Sequence, residues 1–138
     1  MKVSLFYRVA SGLLILFAVG HTLGFRRVDP HWGIDSVIAA LRSTRFDVQG
    51  LNRTYWDFYT GFGLFVTVLL VFVAVLAWQL GGLPKNWLSA MPGVTWGLAA
   101  CFGAVTFLSW RYFFILPVVF SAIITICFIL AAWAAERP

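Results

Sequence analysis

Charged residues are scarce in this sequence. Lysine and arginine number 10 and aspartate and glutamate 5, so only 11% of the 138 residues carry a charge. A soluble domain usually has about 25% charged and about 45–50% apolar residues, whereas 62% of this chain is apolar. A soluble domain of 138 residues does not have a core large enough to bury this share of apolar residues. The composition therefore excludes an ordinary soluble enzyme, a disordered chain and a nucleic-acid-binding protein, and it indicates that lipid is the main solvent.

The sequence also lacks the motifs of several kinds of active site. Cys101 and Cys127 are the only cysteines, and both lie in apolar runs without the spacing of metal ligands. No phosphate-binding loop, no metal-binding motif and no Ser/His/Asp arrangement of known form is present. The sequence therefore predicts no metal site and assigns no cofactor.

Four apolar segments are long enough to cross a membrane as helices. About 20 helical residues cross a hydrocarbon core about 30 Å thick, and the four segments lie at about 3–25, 55–80, 93–110 and 116–135. The last two share one apolar stretch that is about twice as long as a single span, so we expect a turn between Ser109 and Pro117. The spans predict one all-α integral membrane domain over residues 1–138, built as a transmembrane four-helix bundle.

A polar segment, residues 26–54, joins the first two spans. It holds five of the ten basic residues and three of the five acidic residues. Within it, Ile34, Val37, Ile38 and Leu41 follow the i, i+3, i+4, i+7 spacing of an amphipathic helix. We expect this helix to lie in the membrane interface as a cap over the bundle, with its apolar face down.

Glycines recur at the spacing of close helix contacts. Gly20 and Gly24 form one GxxxG pattern, and Gly93 and Gly97 form a second one. In lipid, small residues at this spacing let helix backbones approach each other. We expect both faces to pack within the bundle, with a homodimer contact as the alternative.

Ionisable residues near the membrane are candidates for function because their burial in lipid is costly. His21 lies near the end of the first span and Asp57 near the start of the second, so both belong to one membrane face. If these helices are neighbours, the two side chains can meet and act as acid and base. The ligand-binding residues predicted at the same face are Arg53, Tyr55, Trp56, Tyr59, Thr22, Asp47 and Arg111.

Structural roles are the alternative for both candidate catalytic residues. Thr54 and Asp57 have the spacing of a capping box at a helix start, and Arg53 and Asp57 have the i, i+4 spacing of a helical ion pair. His21, next to Gly20, suits a hydrogen bond across a close helix contact. Either role would satisfy the polar groups without any chemistry.

Three motifs stand out in the first 80 residues. They are Gly20-His21-Thr22, Arg45-Phe46-Asp47-Val48-x-Gly50 and Arg53-Thr54-Tyr55-Trp56-Asp57-Phe58-Tyr59-x-Gly61-Phe62-Gly63. Together they resemble a family of small four-span bacterial membrane proteins, and the rest of the chain resembles it by hydropathy only. The resemblance implies a four-helix fold in the bacterial inner (cytoplasmic) membrane, without implying an activity.

The architecture is more distantly similar to the DoxX-like four-helix proteins and to the EXPERA group, which includes sterol isomerases and sterol-binding membrane proteins. EXPERA proteins place acidic residues, histidine and tryptophan in a cavity of the bundle, and Asp57, His21 and Trp56 match these residue types. The pair of membrane glutamates is missing, since Glu136 is the only glutamate. Similarity at the level of fold says little about function.

Two functions of different classes fit these features. In the first, the protein binds an apolar, lipid-like ligand (an isoprenoid, a quinone or a sterol-like molecule) under a polar His/Asp/Arg rim, with acid/base isomerase or cyclase activity as an extension. In the second, it is a non-catalytic accessory subunit or scaffold of a larger membrane complex. The predicted partners are membrane lipids and either a second copy or a larger membrane complex. Nucleic acid is not expected, because the basic residues cluster beside the membrane, where anionic headgroups lie.

Overall fold

A computed structural model describes residues 2–137, and this part of the chain is all-α. Its elements, in chain order, are α1 (Val3–Gly24), a 3-10 turn (Pro30–Trp32), α2 (Asp35–Ser43), β1 (Arg45–Val48), β2 (Leu51–Thr54), α3 (Tyr55–Leu80), α4 (Lys85–Ser89), α5 (Pro92–Tyr112) and α6 (Ile115–Glu136). Helices α1, α3, α5 and α6 are long and apolar enough to cross a membrane. The predicted transmembrane four-helix bundle, with an amphipathic helix between the first two spans, is confirmed. The protein is therefore an integral membrane protein.

The ends of the four spans follow the proline and turn positions in the sequence. Pro92 is the first residue of α5, and Pro117 lies in the first turn of α6, where a missing N–H removes no helical hydrogen bond. The turn between α5 and α6 consists of Phe113 and Phe114, inside the stretch where a turn was expected. Every span begins and ends within two residues of its predicted position.

The chain divides into two compact units. We call Met1–Phe17 with Leu70–Pro138 the terminal unit, and Ala18–Leu69 the central unit. The terminal unit holds the first part of α1, the last part of α3 and helices α4 to α6, and the central unit holds the remaining elements. That the whole chain acts as a single domain stays a prediction.

The terminal unit contains nearly all of the buried apolar side chains. The largest of them, all with less than 2% of their surface exposed, are Tyr7, Leu14, Leu88, Ile124 and Phe128. Two serines of α1 donate hydrogen bonds to main-chain oxygens of α3, Ser4 to Gly81 at 2.6 Å and Ser11 to Ala74 at 2.8 Å. Such bonds satisfy polar groups that lipid does not, so they hold α1 against α3 in this unit.

The predicted amphipathic helix is present as α2. Ile34, its N-cap residue, and Ile38 and Leu41 are half-buried, whereas Val37 keeps 55% of its surface exposed. The apolar stripe therefore packs on the central unit through three of its four residues.

A short β-hairpin follows α2 and was not predicted. Strands β1 and β2 pair antiparallel, and the two residues between them, Gln49 and Gly50, have positive φ angles of 53° and 80°. Two-residue turns with this backbone fit the twist of a hairpin and favour glycine. The Oδ1 atom of Asp47 accepts a hydrogen bond from the Gly50 amide at 2.9 Å, which fixes the turn.

The prediction that the GxxxG glycines pack inside the bundle is wrong. A Cβ atom at Gly20, Gly24, Gly93 or Gly97 would meet no atom of the described residues within 4 Å. The residues that do allow close helix contact in the terminal unit are mainly alanines, since methyl groups pack almost as closely as glycine. The buried alanines of the terminal unit are Ala10, Ala74, Ala77, Ala99, Ala131, Ala132, Ala134 and Ala135.

Candidate functional site

The structure places nearly all of the predicted site residues in the central unit. His21 and Thr22 belong to the end of α1, Asp47 to β1, Arg53 to β2, and Tyr55, Trp56, Asp57 and Tyr59 to the first turns of α3. Arg111 belongs to the terminal unit, in the last turn of α5, where its guanidinium carbon lies 5.4 Å from the ring centre of Tyr112. All the predicted site residues except Arg111 therefore belong to one compact unit of the chain.

His21 makes a hydrogen bond between two helices. Its Nε2 atom lies 3.0 Å from the main-chain oxygen of Gly63 in α3. Because a carbonyl oxygen only accepts, Nε2 carries the proton and donates, and Nδ1 is the nitrogen left for any other partner. One residue on, the Thr22 hydroxyl lies 2.9 Å from that of Thr67. The two polar residues at the end of α1 thus join it to α3 in this unit.

Phe25 and Tyr59 add an aromatic contact to the same helix pair. The ring of His21 stacks on that of Phe25, with centroids 5.1 Å apart and planes 18° apart. The Tyr59 hydroxyl donates a hydrogen bond to the main-chain oxygen of Phe25, which is one of the carbonyls left without a helical partner at the end of α1. Tyr59 therefore caps the C-terminal end of α1.

Asp57 forms the capping box that its spacing allows. Its Oδ2 atom accepts hydrogen bonds from the Thr54 amide at 2.8 Å and from the Thr54 hydroxyl at 3.0 Å. The Thr54 hydroxyl oxygen accepts one from the Asp57 amide at 3.2 Å. These bonds satisfy donors that the first turn of a helix leaves without partners. The structural alternative for Asp57 is thus realised at the start of α3.

The expected contact between His21 and Asp57 is not formed. The hydrogen bonds of His21 go to α3 and those of Asp57 to Thr54, so each polar group is satisfied by a neighbouring helix or turn. Arg53 and Asp57 form no close ion pair at their i, i+4 spacing, although the Arg53 charge acts on the carboxylate. Nη1 of Arg53 donates to the main-chain oxygen of Asn52 at 2.9 Å. Catalytic roles for His21 and Asp57 stay predictions.

An apolar groove lies beside the first two turns of α3. Its volume is about 540 Å³, and it is lined by Leu41, Phe46, Tyr55, Phe58, Tyr59 and Phe62. The ring of Phe46, in the hairpin, stacks against that of Phe58, with ring centres 5.9 Å apart. The ring centres of Phe46 and Tyr55 are 4.9 Å apart. Helix α2, the hairpin and α3 thus each supply a part of the wall.

Four of the six groove residues were absent from the predicted site. Tyr55 and Tyr59 were predicted, but Leu41, Phe46, Phe58 and Phe62 were not. A pattern in the sequence indicates two of these four, Phe58 and Phe62. The aromatic residues at 55, 58, 59 and 62 follow the i, i+3, i+4, i+7 spacing, which marks one face of a helix.

Arginines lie along the polar edge of the central unit. The guanidinium carbon of Arg42 lies 4.2 Å from the ring centre of Trp56. The ring centres of Trp56 and the groove residue Tyr59 are 5.4 Å apart. Within the central unit, no arginine nitrogen lies within 4.0 Å of a carboxylate oxygen. The arginines of this unit therefore form no close ion pair, although the charges of Arg53 and Arg45 act on the Asp57 carboxylate.

Comparison with protein-family models, with curated proteins and with solved structures finds no match to this chain. The resemblance to small four-span bacterial membrane proteins therefore stays a prediction. The described residues contain no group of three or more His, Cys, Asp or Glu side chains that could hold a metal ion.

Proposed function

We propose that this integral membrane protein, which we assign to the bacterial inner membrane, binds the apolar chain of a lipid-like molecule in the groove of the central unit. The groove itself carries this proposal. Its volume of about 540 Å³ is within the range of about 300–1,000 Å³ that ligand sites of proteins occupy. Isoprenoids, quinones, sterol-like molecules and acyl chains share the apolar character that its aromatic wall would bind.

The position of the groove also favours a membrane ligand. Four of its six lining residues come from the first eight residues of α3, a helix with the length and hydropathy of a membrane span. A groove at the start of a span lies near the level where headgroups meet hydrocarbon. A lipid could enter it sideways from the bilayer without crossing water.

Binding has more support than catalysis. Acid/base catalysis needs a donor and an acceptor aimed at the same ligand, whereas the carboxylate of Asp57 is held by Thr54 and the Nε2 proton of His21 by Gly63. Neither residue lines the groove. We therefore propose a binding protein, with isomerase or cyclase activity as the less favoured extension.

Photo-crosslinking tests the proposal directly. The full chain, in membranes, is exposed to an isoprenoid that carries a diazirine group, and labelled peptides are mapped by mass spectrometry. We expect labelling to concentrate on groove residues such as Phe58 and Phe62. Phe65 and Phe72 are the internal controls, since they lie on the same helix, expose 68% and 62% of their surface and do not line the groove. Equal labelling at all four positions would indicate ordinary lipid contact and contradict the proposal.

A second candidate function is that of an accessory subunit of a membrane complex. It is favoured by the glycine pairs Gly20/Gly24 and Gly93/Gly97, because a Cβ atom added at any of them would point into open space. Small residues on an open helix face suit the close approach of another helix. Cross-linking in mild detergent, followed by sizing of the products, distinguishes a complex from a lone chain.

A further inference from the structure

Two arginines are direct neighbours of residues that line the groove. Arg42 follows Leu41, which lines the groove, and its guanidinium stacks on Trp56 at 4.2 Å. Arg53 is the cross-strand partner of Phe46, which also lines the groove. Partners across an antiparallel pair place their side chains on the same face, so Arg53 extends from the groove face of the hairpin.

Most hydrogen-bond donors of these two arginines have no partner within the central unit. A guanidinium is always charged and offers five N–H donors in a planar fork that fits phosphate or carboxylate oxygens. The one hydrogen bond of these guanidinium groups in this unit runs from Nη1 of Arg53 to the main-chain oxygen of Asn52. Stacking on Trp56 restricts the motion of the Arg42 guanidinium, which lowers the entropy lost when it binds an anion.

We infer that the ligand of the groove is an anionic amphiphile, namely a lipid whose phosphate headgroup binds Arg42 and Arg53 while its chain lies in the groove. This inference rests on the proposed function, because it adds a headgroup to the chain that the groove would bind. Such a lipid is complementary in charge and polarity, since an apolar wall with neighbouring arginines matches a molecule with one apolar and one anionic end. A neutral quinone or sterol would offer no anionic oxygen to the free N–H donors of these guanidinium groups.

The hairpin supplies a matched control for this inference. Arg45 lies on the same hairpin, but its cross-strand partner is Thr54, so its side chain is on the face opposite to Phe46. There its Nη1 atom donates to Oδ1 of Asn52 at 2.8 Å. Arg45→Gln therefore removes the same charge as Arg53→Gln, from the same two strands, but away from the groove.

The experiment compares three probes by native mass spectrometry of the purified full chain in neutral detergent. The probes are dioleoyl phosphatidic acid, dioleoylglycerol, which has the chains without the phosphate, and glycerol 3-phosphate, which has the phosphate without the chains. We expect phosphatidic acid to bind at least about tenfold more tightly than dioleoylglycerol, and glycerol 3-phosphate to show no binding. Arg42→Gln and Arg53→Gln should each weaken phosphatidic acid binding about tenfold, the size expected for a charged hydrogen bond.

Dioleoylglycerol binding reports whether each variant keeps its groove. We expect it to be unchanged in Arg42→Gln and Arg53→Gln, and phosphatidic acid binding to be unchanged in Arg45→Gln. Equal binding of the two lipids would overturn the headgroup inference and leave the groove proposal standing. An equal loss in Arg45→Gln would indicate diffuse surface charge, and binding of glycerol 3-phosphate alone would indicate a site for free phosphate, so each overturns the inference. If neither lipid binds, the proposed function itself fails.

Discussion

The ring of Phe25 lies against the backbone of Gly63, so closely that a Cβ atom at Gly63 would overlap with the ring. We therefore expect Gly63→Ala to push the ring aside and to disturb its stacking with His21 and its contact with Tyr59. Aromatic pairs of this kind contribute about 0.5–1.5 kcal/mol each, so the variant should lose roughly 1–2 kcal/mol of stability. Unfolding in mixed micelles, followed by circular dichroism, measures the loss.

Gly61 provides the control, because a Cβ atom there would meet nothing within 4 Å. Gly61→Ala should leave stability unchanged or raise it slightly, since alanine favours a helix more than glycine does. The double variant Phe25→Ala/Gly63→Ala should lose little more than Phe25→Ala alone, because the overlapping ring is gone. Equal effects of Gly61→Ala and Gly63→Ala would contradict the close contact.

His21→Leu should weaken the contact between α1 and α3 in the central unit. The variant removes the hydrogen bond from Nε2 to the Gly63 oxygen, and hydrogen bonds between membrane helices contribute on average about 0.6 and at most about 1.7 kcal/mol. Faster hydrogen exchange in the last turns of α1 is the expected result. The only other histidine, His31, is exposed in the segment between α1 and α2, so His31→Leu should not change exchange there.

The four spans were predictable from the sequence because an apolar run of about 20 residues forms a membrane-spanning helix. The hairpin was missed because its strands have only four residues each, too few for a period of two to stand out. Its turn relies on Gln49 in a left-handed conformation, which no strong sequence pattern marks. Short strands and the turn between them were thus harder to predict than the spans.

The sequence allowed individual hydrogen bonds of the site to be predicted, but not how its elements pack together. The capping-box alternative for Asp57 and the helix-contact alternative for His21 both describe bonds that the structure contains. The residue spacing did not predict the groove, because the groove wall combines residues of α2, the hairpin and α3. Contacts between elements far apart in sequence depend on how they pack, which periodicity alone does not encode.

Asp57→Ala should destabilise the start of α3. Loss of a helix cap costs about 1 kcal/mol, within a range of about 0.5–2, and Thr54→Ala should cost a similar amount because the two side chains bond to each other. The double variant should lose less than the sum of the two single losses. Hydrogen exchange in the first turn of α3 measures all three. Strictly additive losses would show that the two residues act independently and contradict the capping box.

Gln49→Asn should stabilise the hairpin. Gln49 has φ of 53°, a left-handed conformation that costs most residues about 1–2 kcal/mol and that asparagine adopts more easily. Asn-Gly is also the preferred pair for a two-residue hairpin turn. Hydrogen exchange across β1 and β2 should slow in Gln49→Asn and accelerate in Gly50→Val, since Gly50 has φ of 80°. Unchanged exchange in both variants would show that the turn does not limit the stability of the hairpin.

Gly93→Leu/Gly97→Leu should fold as well as the parent chain. A Cβ atom at either position meets nothing within 4 Å, and substitutions on an open surface usually change stability by less than about 0.5 kcal/mol. Gly103→Leu is the contrast, because its Cβ atom would already lie 4.0 Å from Thr125 of α6, so the longer side chain should be destabilising. If the double variant keeps its stability but no longer forms the cross-linked complexes of the parent chain, this glycine face binds a partner helix, as an accessory subunit requires. A large loss of stability in the double variant would instead mean that these glycines pack within the chain.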